Sequence, residues 1–317
     1  MRRAPVDMTA RIGGVTLPNP VMLASGTAGH GAELAEYIDL GALGAVVVKS
    51  LSPQPWQGNL APRVHEAGAG MLNSVGLQNP GVEAWREHEL PDLLATGARV
   101  VASIWGFTVE DYAKAATMLA DLPPAVVAVE ANVSCPNVED RRRMFAHSAA
   151  ATAAAIGATC QGLAGTRPVW AKLSPNVTDL TEIAAAALGA GAGALTLINT
   201  VMGMAIDPDS RRYRLGAGPA GGGLSGPAIH PVAVRAVHDC RVALPGAAII
   251  GVGGVTTGAD AAELILAGAA AVQVGTATFA DPRVALRICS DLERWCRRQH
   301  VPRLTDLIGA VHGHAHP

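Results

Sequence analysis

Eight short apolar runs rich in β-formers recur along this 317-residue chain, with amphipathic Ala/Leu segments in most of the gaps between them. In order they are PVMLA near Pro20, GAVVVK near Val47, RVVASIW near Val101 and AVVAVEANV near Val129. PVWAKL near Trp170, ALTLIN near Leu197, AAIIGVG near Ile249 and AAVQVG near Val272 complete the set. Helical segments between them include AELAEYIDL, TVEDYAKAATMLADL, TDLTEIAAAALGAG, PVAVRAVHDCRVAL and TGADAAELILAGA. Several start at Thr or Asp and stop near Gly, as capping chemistry requires. Eight β/α units in a chain of this length predict an α/β fold, a (β/α)8 TIM barrel, rather than an open doubly wound sheet. An open Rossmann-like sheet is the runner-up, but no GxGxxG follows the first strand.

No linker or composition break divides the chain, so residues 1–317 read as one domain. The leading RIGGVTLPNP predicts a hairpin over the barrel's bottom. Ser50–Ala98 and Val201–Pro231 are too long for simple βα loops. Barrel proteins build their sites from loops at the C-terminal ends of the strands, so both insertions are candidate site walls.

Bulk chemistry narrows the function. Charged residues are 16% of the chain and the net charge is −2, which leaves no electrostatic footprint for nucleic acid or an anionic membrane. Aromatics at 3% argue against a stacking platform for bases or sugars. The N-terminus has two arginines without an apolar stretch behind them, unlike a signal peptide. Cys135, Cys160, Cys240, Cys289 and Cys296 are odd in number, far apart and without a CxxC pair. Neither a disulfide framework nor a zinc or iron–sulfur site fits that spacing. Cys289 and Cys296, seven apart on a predicted helix, read as two buried thiols on one face. A reduced, soluble, cytoplasmic protein is expected. The C-terminal HGHAHP, with His312, His314 and His316, reads as a polar tail rather than a metal site.

In a barrel, the residues closing each strand face the mouth of the site. Here they are Ala24-Ser25-Gly26, Lys49-Ser50, Ser103, Asn132 leading to Cys135, Lys172, Asn199-Thr200, Gly253-Gly254 and Gly275-Thr276. Glycines after strands seven and eight let backbone N–H groups approach an anion, at the usual phosphate position of these barrels. Lys49 and Lys172 terminate apolar strands, where an ammonium is costly unless paired. Together they suggest a bound anion or an electron-rich cofactor. Lys172 is also compatible with a Schiff-base lysine, which would explain neither Cys135 nor the asparagines. Asn73, Asn132, Asn137 and Asn199 offer paired donors and acceptors to a planar polar ring. Cys135, in EANVSCPN, allows four readings on its own: core residue, redox partner, metal ligand or active thiol.

The motifs ASG (24–26), VVKS (47–50), MLNSVGLQNPG (71–81), EANVSCPN (130–137), AKLSPN (171–176) and LINT (197–200) resemble the dihydroorotate dehydrogenase family. GGLSGPAIHPVAVR (222–235), IIGVGGV (249–255) and VGTATF (274–279) do so too, and the matches run in order from about residue 10 to residue 285. The resemblance implies an FMN-containing (β/α)8 barrel oxidising (S)-dihydroorotate to orotate in de novo pyrimidine synthesis. A cysteine at position 135 resembles the soluble class of the family, and LSPN with GGLSGPAIHPVAVR is similar to its NAD-linked subclass. That subclass implies one FMN per chain and a partner subunit carrying FAD and a [2Fe–2S] cluster, in an assembly of two plus two chains.

Residue by residue, the resemblance implies that Cys135 takes the proton from C5 of the substrate while a hydride leaves C6 for the flavin. It implies that Lys49, Asn73, Ser74, Val75, Gly76, Leu77, Asn132, Asn199 and Thr200 hold the substrate. Ser25, Lys49, Ser50, Ser103, Asn132, Lys172, Ile198 and Gly226 would line the flavin, with Gly253, Gly254, Gly275 and Thr276 at its phosphate. Ser103 departs from the asparagine common in the family at that strand end, and the loop after CPN, Gly-containing in many relatives, reads VEDRRRMFAH here, its Arg141–Arg143 either drawing in an anionic substrate or forming a solvated charged loop. The competing readings are a flavin barrel acting on another dihydropyrimidine, a fumarate-linked dihydroorotate dehydrogenase, a Schiff-base lyase, and a barrel that serves only as a partner subunit.

Overall fold

The structure is a computed structural model that describes residues 5–134 and 144–313. Cys135, Asn137, Arg141–Arg143, His314 and His316 lie outside the described residues. The chain opens with an antiparallel hairpin, β1 (Ala10–Ile12) and β2 (Val15–Leu17). β3 (Val21–Leu23) and β4 (Ala45–Val47) follow, then β5 (Val64–Glu66) and β6 (Met71–Asn73) in the first insertion. Next come β7 (Val100–Ile104), β8 (Val126–Asn132), β9 (Val169–Leu173) and β10 (Ala194–Leu197). The second insertion contributes β11 (Val201–Gly203), β12 (Ile206–Asp207), β13 (Arg212–Tyr213) and β14 (Gly222–Ser225), before β15 (Ile249–Val252) and β16 (Ala271–Val274). β3, β4, β7, β8, β9, β10, β15 and β16 pair in parallel, each with the next, and β16 returns to β3 to close an eight-stranded barrel. These eight strands coincide with the eight apolar runs of the sequence.

Between the strands lie α1 (Val82–Ala84), running through a π turn at Trp85–Glu89 into α2 (Leu90–Ala95), then α3 (Val109–Met118) and α4 (Ala149–Leu163). α5 (Leu180–Gly189), α6 (His230–Ala243), α7 (Gly258–Ala267), the short α8 (Ala277–Ala280) and α9 (Val284–Arg298) complete the outer ring. The caps are those the composition demands. Thr108 accepts from the Asp111 amide at 3.2 Å while Asp111 accepts from the Thr108 amide at 3.1 Å, and Thr257 with Asp260 repeats this box on α7. The predicted helix AELAEYIDL is absent. Only single 3-10 turns form, at Glu33–Glu36 and Leu40–Ala42. Glu33 turns its carboxylate back to the amides of His30 and Gly31, and a nine-residue stretch bounded by glycines does not overcome the cost of nucleation.

Side-chain parity divides the core in two. Val21, Leu23, Val46, Val100, Ala102, Val129, Ala131, Leu195 and Ile249 point outward and pack beneath the helices. Met22, Ala45, Val47, Val101, Ala128, Trp170, Ala194, Ile250 and Ala271 point inward, and Ala10, Ile12 and Leu17 of the hairpin join them. The hairpin therefore closes the N-terminal end of the barrel with an apolar plug. No helix among the described residues is long and apolar enough to cross a membrane.

Candidate active site

Two residues further along several strands, the inward layer changes character. Val101 gives way to Ser103, Ala128 to Glu130, Trp170 to Lys172, Ala194 to Thr196 and Ala271 to Gln273, all of them buried. Above this polar layer a cavity of about 390 Å³ opens at the C-terminal ends of the strands. The two insertions meet over it in a four-stranded antiparallel sheet of order β11-β14-β6-β5, which lines the cavity through Val64, Met71, Asn73, Met202 and Ser225. Both long connections are thus walls of the site. A side chain at Gly223 would put its Cβ 2.0 Å from Thr200 Oγ1, so the sheet crosses the end of the sixth barrel strand only with glycine there.

The structure brings together all but two of the predicted site residues. Ser25, Lys49, Ser50, Asn132, Lys172 and Ile198 line the cavity, as do Gly226, Gly253, Gly254, Gly275 and Thr276. Asn73, Ser74, Val75, Gly76 and Leu77 form one side, and Asn199 with Thr200 another. Ser103 is the first exception. It is fully buried, does not line the cavity, and shares a 2.9 Å hydrogen bond with Ser50 Oγ. Cys135 is the second, because it falls outside the described residues. The last described residues of that segment, Asn132 and Ser134, line the cavity.

Hydrogen bonds fix the polar groups before any ligand arrives. Ser25 Oγ lies 3.3 Å from Ser50 Oγ, and Asn132 Nδ2 donates to Ser50 at 3.3 Å. Asn199 donates to Asn132 Oδ1 at 3.2 Å, and the Tyr112 hydroxyl holds the Asn132 carbonyl at 2.8 Å. In the loop after β6, four consecutive carbonyls are engaged from the same insertion. Asn59 Nδ2 donates to Ser74, the Asn59 amide to Val75, Trp56 Nε1 to Gly76 and Asn79 Nδ2 to Leu77, at 2.9 to 3.1 Å. The Ser74 amide is itself engaged, donating to the Arg63 carbonyl at 2.7 Å, which leaves the amides of Val75, Gly76 and Leu77 as the groups this loop can offer an anion. Asn176, unassigned in the sequence reading, ties Ser174 to the Thr200 carbonyl at 2.8 and 2.9 Å.

The charge balance points the same way. Lys49 and Lys172 line the cavity, and no Asp or Glu among the described residues does. The loop after β3 folds against Lys49, whose amide donates to the Gly29 carbonyl at 2.9 Å. Burial, reinforced by the Lys49 charge, lowers the His30 pKa from 6.5 to about 4. Lys172 Nζ lies 3.8 Å from Glu130 Oε1, an ion-pair geometry that counts against a free amine poised for Schiff-base chemistry. Glu130, behind Lys172 and outside the cavity lining, went unassigned in the sequence. Its signal was parity: a charge inside an apolar run, in phase with Asn132. The described cysteines away from the site are unsuited to nucleophilic work, since burial raises the Cys240 thiol to about 12 and the Cys289 thiol to about 11.

Whether a flavin nucleotide fits can be judged from the lining itself. Ser74 Oγ and Ser134 Oγ are buried lining atoms without a hydrogen-bond partner among the described residues, so polar ligand groups would satisfy them. At the far end, Gly254 adopts φ +67°, and a Cβ there would sit 2.7 Å from His230 Cβ and 2.9 Å from the Gly226 carbonyl oxygen. Thr276 opens the short α8, so loops after the seventh and eighth strands and a short extra helix converge, the arrangement that binds phosphate in such barrels. The lining suits a long ligand with a polar ring at one end and a phosphate at the other.

Fold and lining define a (β/α)8 barrel with a cationic, amide-rich cavity at the C-terminal ends of its strands. Comparison with known proteins gives the family. The family model for dihydroorotate dehydrogenase matches residues 7–295, and this chain belongs to that family. It is 47% identical over 307 residues to the dihydroorotate dehydrogenase B (NAD(+)) catalytic subunit of Geobacter sulfurreducens, covering 96% of this chain and 98% of that one. The protein of the same name from Desulforudis audaxviator is 49% identical over 310 residues, with 97% and 98% covered. A putative dihydroorotate dehydrogenase A (fumarate) of Solibacter usitatus is 45% identical over 307 residues, with 96% and 98% covered.

Proposed function

We propose that this chain is the catalytic subunit of an NAD-linked dihydroorotate dehydrogenase, oxidising (S)-dihydroorotate to orotate in pyrimidine biosynthesis, in the cytoplasm. The observation that carries the reading is the cavity with two lysines and, among the described residues, no carboxylate, at the strand ends of a chain of this family. Residues 1–317 act as one FMN-binding barrel domain, since both insertions return to the same site.

Gly253, Gly254, Gly275 and Thr276 would hold the phosphate of FMN, and Ser25, Lys49, Ser50, Asn132, Lys172, Ile198 and Gly226 its ring, with Ser103 behind Ser50. Bound there, FMN supplies the acceptor for the hydride that leaves C6 of the substrate. Lys49, the loop Asn73–Leu77, Asn132, Asn199 and Thr200 orient the substrate ring and its carboxylate. The asparagines do so without adding negative charge that would oppose that carboxylate. Cys135 removes the proton from C5. A thiol with an ordinary pKa of roughly 8.5 needs only modest help to act as a base near neutrality.

Electrons then leave through a partner subunit carrying FAD and a [2Fe–2S] cluster, two of each chain assembling together. Support for a partner is the phrase "catalytic subunit" in the names of the first two relatives. The name of the Solibacter relative favours a second reading, direct reduction of fumarate. The two separate cleanly, because only the fumarate reaction proceeds with this chain alone.

The test is direct. The purified protein is expected to be yellow, and dihydroorotate should bleach the flavin band under anaerobic conditions. A colourless protein that takes up no FMN would sink the reading. Cys135→Ser should retain the flavin and slow its reduction at least a hundredfold, within the usual range for loss of a general base. Unchanged reduction would remove Cys135 from the chemistry.

A further inference from the structure

Glu130 is fully buried inside the barrel, and no step of the chemistry above uses it. Its Oε2 accepts from Thr196 Oγ1 at 2.9 Å and from Gln273 Nε2 at 2.8 Å. Its Oε1 has no hydrogen-bond partner among the described residues and faces Lys172 Nζ across 3.8 Å, outside hydrogen-bonding range. The two oxygens are thus divided between tasks. Neutral donors from β10 and β16 anchor one, and the other confronts an ammonium on β9. Lys172 lines the cavity and Glu130 does not. The register explains the geometry: Lys172 is level with Thr196, which donates to Glu130, and lies two residues beyond Trp170, the β9 partner of Glu130.

A buried carboxylate is costly, and replacing such a pair with apolar residues often stabilises a protein. The apolar layer immediately below shows that this barrel can be filled without charge. We infer that Glu130 is a positioning residue: anchored by Thr196 and Gln273, its carboxylate tethers the Lys172 ammonium at the cavity wall and acts on the bound ring through that lysine. The inference rests on the flavin reading of the cavity. A reduced flavin ring carries more negative charge than an oxidised one, so a fixed ammonium beside it favours reduction. Without the tether the same charge is free to swing away.

The experiment is a double-mutant cycle on the FMN-loaded chain, read as the midpoint potential of the flavin. Glu130→Gln keeps the size of the side chain and an oxygen for Thr196 and Gln273. It should lower the potential, in the same direction as Lys172→Met, and have no further effect when Lys172 is already Met. A carboxylate acting directly through its field predicts the opposite: its removal raises the potential, and equally in both backgrounds. Either of those results, or no shift at all, overturns the inference.

Should Glu130→Gln fold too poorly to hold flavin, thermal midpoints of the FMN-free proteins decide instead. The pair Glu130→Gln/Lys172→Met should then melt above both single variants, whereas additive losses would overturn the tether. A wild-type chain that binds no FMN defeats the proposed function, and the FMN-free cycle still reports whether the two residues are coupled.

Discussion

The floor of the barrel and the layer two residues above it are built by the same strands and solve opposite problems. At the floor, Trp170, Ile12, Leu17 and Ala128 fill the interior with apolar volume, sealed by a hairpin that precedes the first barrel strand. One turn of the pleat higher, Ser103, Glu130, Lys172, Thr196 and Gln273 occupy the same inward positions with hydrogen-bonded or paired polar groups. The floor gains by excluding water and demands only volume and shape. The upper layer gives up some of that gain to hold charges and amides where a ligand meets them. Stability and chemistry are thereby separated by about 7 Å of strand, two residues of rise.

A floor variant should therefore cost stability and spare the ligand. Trp170→Ala opens a large cavity in a fully buried position and should lose about 3–5 kcal/mol in urea unfolding. The FMN content of the protein that remains folded should be unchanged. Trp170→Phe should cost far less, because the indole N–H it removes has no hydrogen-bond partner among the described residues. Parallel losses of stability and FMN affinity in Trp170→Ala would mean that the layers are coupled.

Gly254→Ala probes the opposite end. The positive φ and the 2.7 Å approach to His230 Cβ should cost about 1–3 kcal/mol of stability. FMN affinity should fall at least tenfold, measured by fluorescence titration. An alanine variant that binds FMN normally would remove this loop from the phosphate site.

The smallest effect concerns pH. His30, held neutral with a pKa of about 4 against an ordinary 6.5, binds fewer protons folded than unfolded between those values. Stability should therefore be intact above pH 6.5 and decline as the pH falls toward 4, by on the order of 1–2 kcal/mol once solvent screening of a partly exposed ring is allowed for. His30→Gln should flatten that window. Asp7 and Asp179, whose carboxyls are held below their usual value of 3.8 by hydrogen bonds from Thr9 and from Thr181 and Glu182 respectively, lose their contribution only at lower pH, so the two effects separate. A flat profile in the wild-type chain would show that His30 is not buried neutral.

Much of this was legible in the sequence, for reasons particular to each element. The barrel strands announce themselves because strands buried on both faces are continuous apolar runs, and TVEDYAKAATM and TGADAAELILA carry their caps in the letters. AELAEYIDL has helical composition, yet Glu33 finds closer partners in the amides of His30 and Gly31. Local propensity could not register that competition. Lining residues at strand ends were readable once the barrel was counted. Glu130 was not, because a charge within an apolar strand looks like an exception until parity places it beside Lys172. Ser103 shows the converse limit. Its strand end is right, but its side chain stops at Ser50, one hydrogen bond short of the cavity.

The sheet that roofs the cavity joins strands from insertions far apart in the chain: Asn73 Nδ2 donates to the Gly223 carbonyl at 3.2 Å across 150 positions. On a ribosome adding about 5–20 residues per second, the first half of that roof waits on the order of ten seconds for its partner. During that interval β5 and β6 form a bare ribbon, exposed to other strands in its surroundings. The candidate site is thus among the last parts of the nascent chain to be completed, and the interval before its roof closes is when chaperone protection would matter most.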